Sequence, residues 1–215
     1  MGRAAAGGYT HAHFDRTGTF DMNLVERARS LILQPLREWQ LIDAEPHTVR
    51  DLYTGYVMIL AAIPAVCGFI GYSIVGAGPW GAAHRMAIGA GVAYLVVGYL
   101  LTLGWVYILA LIIEAFAPKF EGKRDFEQAL KVAAFFPTPW WLAGVFSVIP
   151  ALWIIGFFLG LYSLYLLFLG LPKLMRVPES KAIPFLVVMF MALIILCVGI
   201  YIIVSLTLPS KVRGF

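Results

Sequence analysis

The chain has 215 residues, of which 61% are hydrophobic and only 13% are charged, and its mean hydropathy is +0.85. Charged residues make up about a quarter of an ordinary soluble domain, so the 28 charged side chains here are too few for a soluble protein of this length. This composition excludes a disordered chain, a collagen-like chain, a disulfide scaffold and a soluble enzyme. The sequence therefore predicts an all-α polytopic membrane protein.

The amino-terminal part of the chain divides into two segments. Residues 1–21 are rich in Gly, Ala and polar groups and contain no apolar run, which predicts a flexible tail without a cleavable signal peptide. The tail contains an HxH pair, His11 and His13, but no acid or cysteine stands beside it at ligand spacing. We therefore predict no metal site and no cofactor.

Residues 22–52 are predicted to form a cytoplasmic amphipathic segment. Between Asn23 and Gln40, apolar residues recur at helical spacing, and most Arg and Glu residues lie off that stripe. The stripe consists of Leu24, Val25, Ala28, Leu31, Ile32, Leu36 and Trp39. Pro35 is expected to divide the helix into two pieces. Such a pattern is typical of a helix lying in the membrane interface, and the alternative is that the stripe packs against the protein's own helix ends.

Five membrane-spanning helices are predicted within residues 53–208, because one crossing needs about 20 apolar residues. The uncharged stretches are Tyr53–Val75, Met86–Ile113, Val132–Pro172 and Ala182–Ser210. The third stretch is 41 residues long, which indicates two spans with a turn at Ser147–Pro150. Residues 209–215 form a short carboxyl-terminal tail.

The distribution of Lys and Arg predicts the orientation of these spans. With the amino terminus in the cytoplasm, 13 of the 16 basic residues lie on the inner side and 3 on the outer side. This arrangement satisfies the positive-inside rule. We therefore predict a cytoplasmic amino terminus and a periplasmic or outside carboxyl terminus. The net charge of +4 reflects these loops, so the lipid bilayer is the predicted partner and nucleic acid is not.

Glu114 is the only acidic residue close to the apolar stretches, at the predicted inner end of the second span. Ionisable residues within a membrane are functional candidates because burying them is costly. Glu114 either pairs with a base of the following loop (Lys119, Lys123 or Arg124) or forms a proton or cation site at the inner mouth. No catalytic motif accompanies it, so we predict that the protein is not an enzyme.

Two further features concern the shape of the helices. Pro137 and Pro139 are expected to break the third span, and a broken helix either marks a transport path or shapes the bundle. Gly156 and Gly160 form a GxxxG pair, which lets two helix backbones approach closely. The pair serves packing within the bundle or, alternatively, a homodimer.

Residues 160–183, with the sequence GLYSLYLLFLGLPKLMRVPESKAI, resemble the signature of the Yip family, the Ypt/Rab-interacting membrane proteins with a Yip domain. The matching residues are Tyr162, Tyr165, Gly170, Pro172, Leu174, Met175, Pro178, Lys181 and Ala182. Weaker similarity extends over about residues 24–206. The resemblance implies five transmembrane helices, with the amino terminus in the cytoplasm.

The resemblance also bears on partners. Eukaryotic members are linked to Rab GTPases through longer cytoplasmic amino-terminal regions, and this chain has no comparable docking segment, so Rab binding is not predicted. The short build is similar to that of bacterial members, which implies a bacterial inner membrane. Tyr162 and Tyr165 share a helix face on which their hydroxyls can bond across helices, and Gly170 to Pro172 is expected to end the span. A structural role explains these residues, and a functional site at the two tyrosines is the alternative.

Two hypotheses on function follow. The first is a non-enzymatic membrane protein that organises membrane, acts in a trafficking-like role or assists a membrane complex, with a membrane-protein partner or as a homo-oligomer. The alternative is a small channel or transporter, as a monomer or an oligomer, motivated by Glu114, Pro137 and Pro139.

Overall fold

The computed structural model describes residues 24–76, 85–149 and 152–207, and all the regular secondary structure in these ranges is helical. Several features predicted from the sequence lie outside the described residues, namely the two tails, the His11–His13 pair, Asn23 and Pro150. The α-helices are α1 Leu24–Leu33, α2 Pro35–Ala44, α3 Val49–Leu52, α4 Met58–Phe69, α5 Ile88–Phe116, α6 Phe126–Phe135, α7 Thr138–Ala143, α8 Trp153–Met175 and α9 Glu179–Thr207. Short π turns (Tyr53–Val57, Ile70–Val75) and 3-10 turns (Ala117–Phe120, Gly144–Val148) extend some of them.

Five helical stretches in the described part of the chain are long and apolar enough to cross a membrane, which confirms the predicted number. They are Val49–Val75, Ile88–Phe120, Phe126–Val148, Ile154–Met175 and Glu179–Ile203. The third ends at Val148 and α8 begins at Trp153, so the 41-residue apolar stretch forms two helices. The first starts at a capping box in which the Thr48 hydroxyl accepts from the Asp51 amide at 3.2 Å.

The third span lies at the centre of the bundle. Its apolar window is 72% buried, against 33% or less for the other four spans. The first, second and fourth spans contact it, whereas α9 packs at the periphery against α5 and α8. The central position means that any polar group of the third span has to be satisfied by protein atoms.

Pro137 and Pro139 interrupt the third span between α6 and α7, as the sequence predicts. Proline cannot donate a backbone hydrogen bond, so the break needs other partners. The Thr138 hydroxyl donates to the Phe135 carbonyl at 2.6 Å, and the Tyr56 hydroxyl lies 2.7 Å from Oγ1 of Thr138. Because the only hydroxyl proton of Thr138 is used for Phe135, Tyr56 is the donor in the second bond. The hydroxyls of Thr138 and Tyr56 and the carbonyl of Phe135 are therefore hydrogen-bonded to one another.

Pro35 divides the amphipathic segment as predicted, since α1 ends at Leu33 and Pro35 is the first residue of α2. The two helices fold back on each other and form an αα-hairpin, here termed the hairpin, Leu24–Ala44. Two residues of the predicted apolar stripe, Val25 and Leu36, are exposed. The stripe is divided in this way because the fold-back at Pro35 gives each short helix its own buried face.

Candidate functional site

The hairpin lies along the fourth span, with the end of α2 beside the end of α8. Arg176, which caps α8 in the left-handed conformation (φ 55°), forms an ion pair with Asp43 at 3.0 Å. Further in, Trp39 is 1% exposed and packs against Gly170. A Cβ on residue 170 would stand only 2.8–3.0 Å from three ring carbons of Trp39, so glycine is required for this approach.

A hydrogen bond from Tyr162 fixes how far the hairpin extends along α8. The Tyr162 hydroxyl donates to the Ile32 carbonyl at 2.7 Å. Tyr162 precedes Met175, the last residue of α8, by 13 residues, which is about 20 Å of helix. The apex of the hairpin (residues 33–36) therefore reaches about half-way along the fourth span. The carbonyls at the end of α1 have no partner within their helix, and Tyr162 satisfies one of them.

The inner face of the hairpin carries a polar cluster built around Arg27. Its guanidinium donates to Glu38 at 2.6 Å and to Glu45 at 2.5 Å, and the Arg27 side chain is only 11% exposed. Glu45 also lies 3.1 Å from Nε2 of the buried His47. One cation thus pairs with two carboxylates that are seven residues apart, and it joins α1 to the first turn of α2 and to the residue that follows α2.

Two residues of the third span, Lys131 and Gln128, form hydrogen bonds to the backbone beside the same cluster. Lys131, which is 3% exposed, donates from Nζ to the Glu45 carbonyl at 2.6 Å. Gln128 Nε2 donates to the Asp43 carbonyl at 3.4 Å. The carbonyls of Asp43, in the last turn of α2, and of Glu45, directly after α2, are therefore bonded to α6, and the central span fixes the hairpin in place.

The electrostatics of the cluster favour its charged state. Burial by itself raises the pKa of Glu45, but hydrogen bonds from His47 and Arg27 outweigh it, so that the pKa lies below its ordinary value. Burial likewise lowers the pKa of Arg27, and the bond to Glu45 together with the charges of Glu45 and Glu38 raises it above the ordinary value. Arg27 and Glu45 are therefore an ion pair at neutral pH.

Glu114 lies apart from this cluster. It is within α5, which continues to Phe116, and its Oε1 accepts from Arg124 Nε at 3.0 Å. Arg124 is 72% exposed and Glu114 18% exposed in their side chains. Of the two interpretations offered by the sequence, the structure shows the pairing with a loop base.

The predicted glycine pair is divided between two environments. Gly160 lies against the ring of Trp140, where an added Cβ would be 2.9 Å from a ring carbon. Gly156 faces open space, with no described atom within 4 Å of such a Cβ. Only Gly160 therefore serves packing within this chain, and the pair does not act as one contact.

Pro172 does not end the fourth span, contrary to the sequence-based expectation. Helix α8 continues for three more residues to Met175 and stops at Arg176. The reason is that the carbonyl of Pro172 remains available and accepts from the Val177 amide at 3.2 Å, which closes the helix beyond it.

The two tyrosines of the family-like motif have different surroundings. Tyr162 bonds to the hairpin, whereas Tyr165 is 44% exposed, with its ring centroid 5.6 Å from that of Tyr162.

We expect Tyr162→Phe to lower the free energy of unfolding by about 1 kcal/mol, because it leaves the Ile32 carbonyl without its donor. The matched Tyr165→Phe variant should stay within about 0.5 kcal/mol of the unmodified protein. Thermal unfolding in detergent measures both, and equal losses would contradict the assignment.

The sequence did not single out Arg27, Glu38, Glu45 and Lys131 as a cluster. One signal was available, since Glu38 and Glu45 are seven residues apart, which places them on one face of a helical segment. The partner of these acids could not be read from the same pattern, because Arg27 belongs to the other helix of the hairpin.

A central span in contact with three of the four other apolar helices, with an ion-paired hairpin held beside it, defines a polytopic helical membrane protein. The chain belongs to the Yip1 domain family, which matches residues 29–201. This confirms the resemblance found at residues 160–183.

Two relatives show the extent of the similarity. The inner membrane protein YohC of Escherichia coli K12 is 28% identical over 162 residues, which cover 72% of this chain and 82% of that protein. The protein of the same name from Escherichia coli O6:H1 gives the same identity and coverage. No solved structure matches the chain.

Proposed function

We propose that this chain is a non-enzymatic protein of a bacterial inner membrane that organises the bilayer, with the hairpin inserted into the cytoplasmic leaflet. The observation that carries the proposal is the reach of the hairpin, which extends about half-way along the fourth span, to Tyr162. Its apex presents apolar side chains outward, since Leu33 and Leu36 are each 64% exposed.

The proposed orientation rests on charge and on the relatives. The loop after α5 meets the end of α8 through a bond from the Lys123 amide to the Met175 carbonyl at 2.8 Å, so both lie at the end of the bundle that holds Asp43. This end carries most of the Lys and Arg residues, as expected for a cytoplasmic face. The E. coli relatives are inner membrane proteins by name.

The physical argument concerns the area of the two leaflets. Five spans occupy both leaflets, whereas the hairpin adds its cross-section to one of them only. Amphipathic helices that enter one leaflet respond to curvature and lipid packing, and by the same coupling they favour a curved bilayer. A protein that enlarges the area of one leaflet in this way acts on membrane shape without a catalytic group.

Reconstitution into vesicles tests this proposal. We expect vesicles containing the unmodified protein to be smaller or more tubular, as seen by electron cryo-microscopy, than vesicles containing Leu33→Asn/Leu36→Asn at the same protein density. The control is Leu41→Asn, which changes an exposed leucine at the opposite end of α2 and should leave the vesicle shape unaltered. Identical shapes for all these proteins and for protein-free vesicles would refute the proposal.

The alternative, a small channel or transporter, is favoured by the break in the central span at Pro137 and Pro139. Against it, Thr138 at that break is bonded to Phe135 and Tyr56. The same vesicles distinguish the two functions through measurements of ion and proton flux. We expect flux no higher than that of protein-free vesicles, whereas a flux that is lost in Glu114→Gln would favour the transporter.

A further inference from the structure

The charges of the hairpin are sorted between its two faces. Glu38 and Glu45 point inward and pair with Arg27, and Asp43 pairs with Arg176. The outward face carries two exposed arginines, Arg29 and Arg37. Within the described residues, neither of these two arginines forms an ion pair or a hydrogen bond through its side chain. Glu26 is the only acid on the outward face.

The two arginines flank the apolar apex. Arg29 precedes Leu33 by one helical turn, about 6 Å, and Arg37 directly follows Leu36. An arginine keeps its charge in any protein environment. An unpaired charge next to the hydrocarbon region is costly, and proteins reduce this cost by drawing headgroups and water toward it. Because arginine side chains are long, the two guanidiniums can extend from the apex toward the membrane surface, where an anionic headgroup offers them a partner.

We propose that the outward face of the hairpin is a docking surface for an anionic phospholipid. The guanidiniums of Arg29 and Arg37 bind the phosphate headgroup, a geometry for which the planar donor fork of arginine is suited. The acyl chains lie against Leu33 and Leu36. The net positive charge of this face selects a lipid with a net negative charge over a zwitterionic one. The inference rests on the proposed function in one respect, namely that the hairpin lies in the bilayer.

Lipid retention by the purified full-length protein tests the inference. The protein in neutral detergent is mixed with equal amounts of phosphatidylglycerol and phosphatidylcholine, and the bound lipids are counted by native mass spectrometry. We expect phosphatidylglycerol to be preferred by about 30-fold, because each arginine near the surface contributes about fivefold to binding of an anionic lipid. Arg29→Gln/Arg37→Gln should lose this preference.

A matched variant separates a defined surface from diffuse attraction. Lys119→Gln/Lys123→Gln removes the same charge from exposed residues of the loop after α5 and should keep the preference. An equal loss in both double variants, or no preference in the unmodified protein, would overturn the inference. Arg29→Lys/Arg37→Lys should retain part of the preference, since it keeps the charge but not the fork. Unchanged thermal unfolding in neutral detergent shows that each variant is folded.

A depth measurement distinguishes failure of this inference from failure of the proposed function. A spin label at Leu33→Cys, in a variant without Cys67 and Cys197, reports on its contact with lipid or water. A label in lipid without any anionic preference overturns the lipid site and leaves the hairpin in the bilayer. A label in water overturns the proposed function and the lipid site together.

Discussion

Replacing Arg27 with methionine is expected to lower the free energy of unfolding by about 3–5 kcal/mol, the cost of breaking a buried ion pair by removal of one partner. The loss is large because a single guanidinium serves both Glu38 and Glu45, and Arg27 is 11% exposed. Without it, two carboxylates remain beside each other with no strong cation between them. Chemical unfolding in mixed micelles, followed by circular dichroism, measures the change.

Two further variants identify the cause of this loss. Arg29→Met alters an exposed arginine on the same helix and should change stability by less than about 0.5 kcal/mol. The triple variant Arg27→Met/Glu38→Gln/Glu45→Gln removes all three charges and should regain most of the stability, because an uncharged cluster has no unpaired ion. A triple variant as unstable as Arg27→Met alone would show that packing, and not charge, is the source of the effect.

The same cluster predicts how stability depends on pH. The pKa of Glu45 is lowered in the folded protein, so this carboxylate stabilises the fold fully above its unfolded pKa of about 4.3. The contribution is lost as the pH falls through the lower pKa of the folded state. The difference in unfolding temperature between the unmodified protein and Glu45→Gln should therefore shrink from about pH 6 to about pH 3. A constant difference would contradict the assigned ion pair.

Replacing Trp39 with alanine is the second change with a large expected effect, a loss of about 3–5 kcal/mol. Trp39 is 1% exposed, and its ring fills the space above Gly170 on the fourth span. Its removal leaves a cavity between the hairpin and α8, which is the helix that α2 contacts most. The measurement is the same chemical unfolding experiment, and Leu41→Ala, which shortens an exposed side chain of the same helix, is the control.

The variant Trp39→Phe tests the aromatic ring of Trp39 separately from its indole N–H. The indole N–H of Trp39 donates to no atom among the described residues. Trp39→Phe should therefore cost less than Trp39→Ala, since it keeps an aromatic ring over Gly170 and removes no hydrogen bond. Gly170→Val should resemble Trp39→Ala, because its side chain overlaps the ring. A stable Gly170→Val variant would mean that the hairpin does not lie against α8.

The Arg27 and Trp39 variants also test whether the hairpin organises the bilayer. Arg27 joins the two helices of the hairpin, and Trp39 holds the hairpin on the fourth span. If the hairpin organises the bilayer, variants that release it should also change vesicle shape, whereas Tyr165→Phe should not. The same hairpin variants would then lower the free energy of unfolding and change the vesicle shape.

The sequence alone determined the number, order and approximate limits of the membrane spans. Apolar length is a property of consecutive residues, and the positions of the charges divide the chain in the same way. Pro35 and the pair Pro137 and Pro139 were likewise readable as breaks, since proline limits the backbone locally. The capping box of Thr48 and Asp51 is local in the same way, because its two residues are three apart in the sequence.

Only the tertiary structure decided which of these residues form the candidate site. Arg27 lies 18 residues from Glu45, Lys131 lies 86 residues from the carbonyl that it binds, and Tyr162 lies 130 residues from Ile32. A periodic pattern assigns a residue to a face of its helix, but it does not say which other helix packs on that face. The fold-back of the hairpin and its position along the fourth span arise from such contacts between distant residues, and local sequence does not encode them separately.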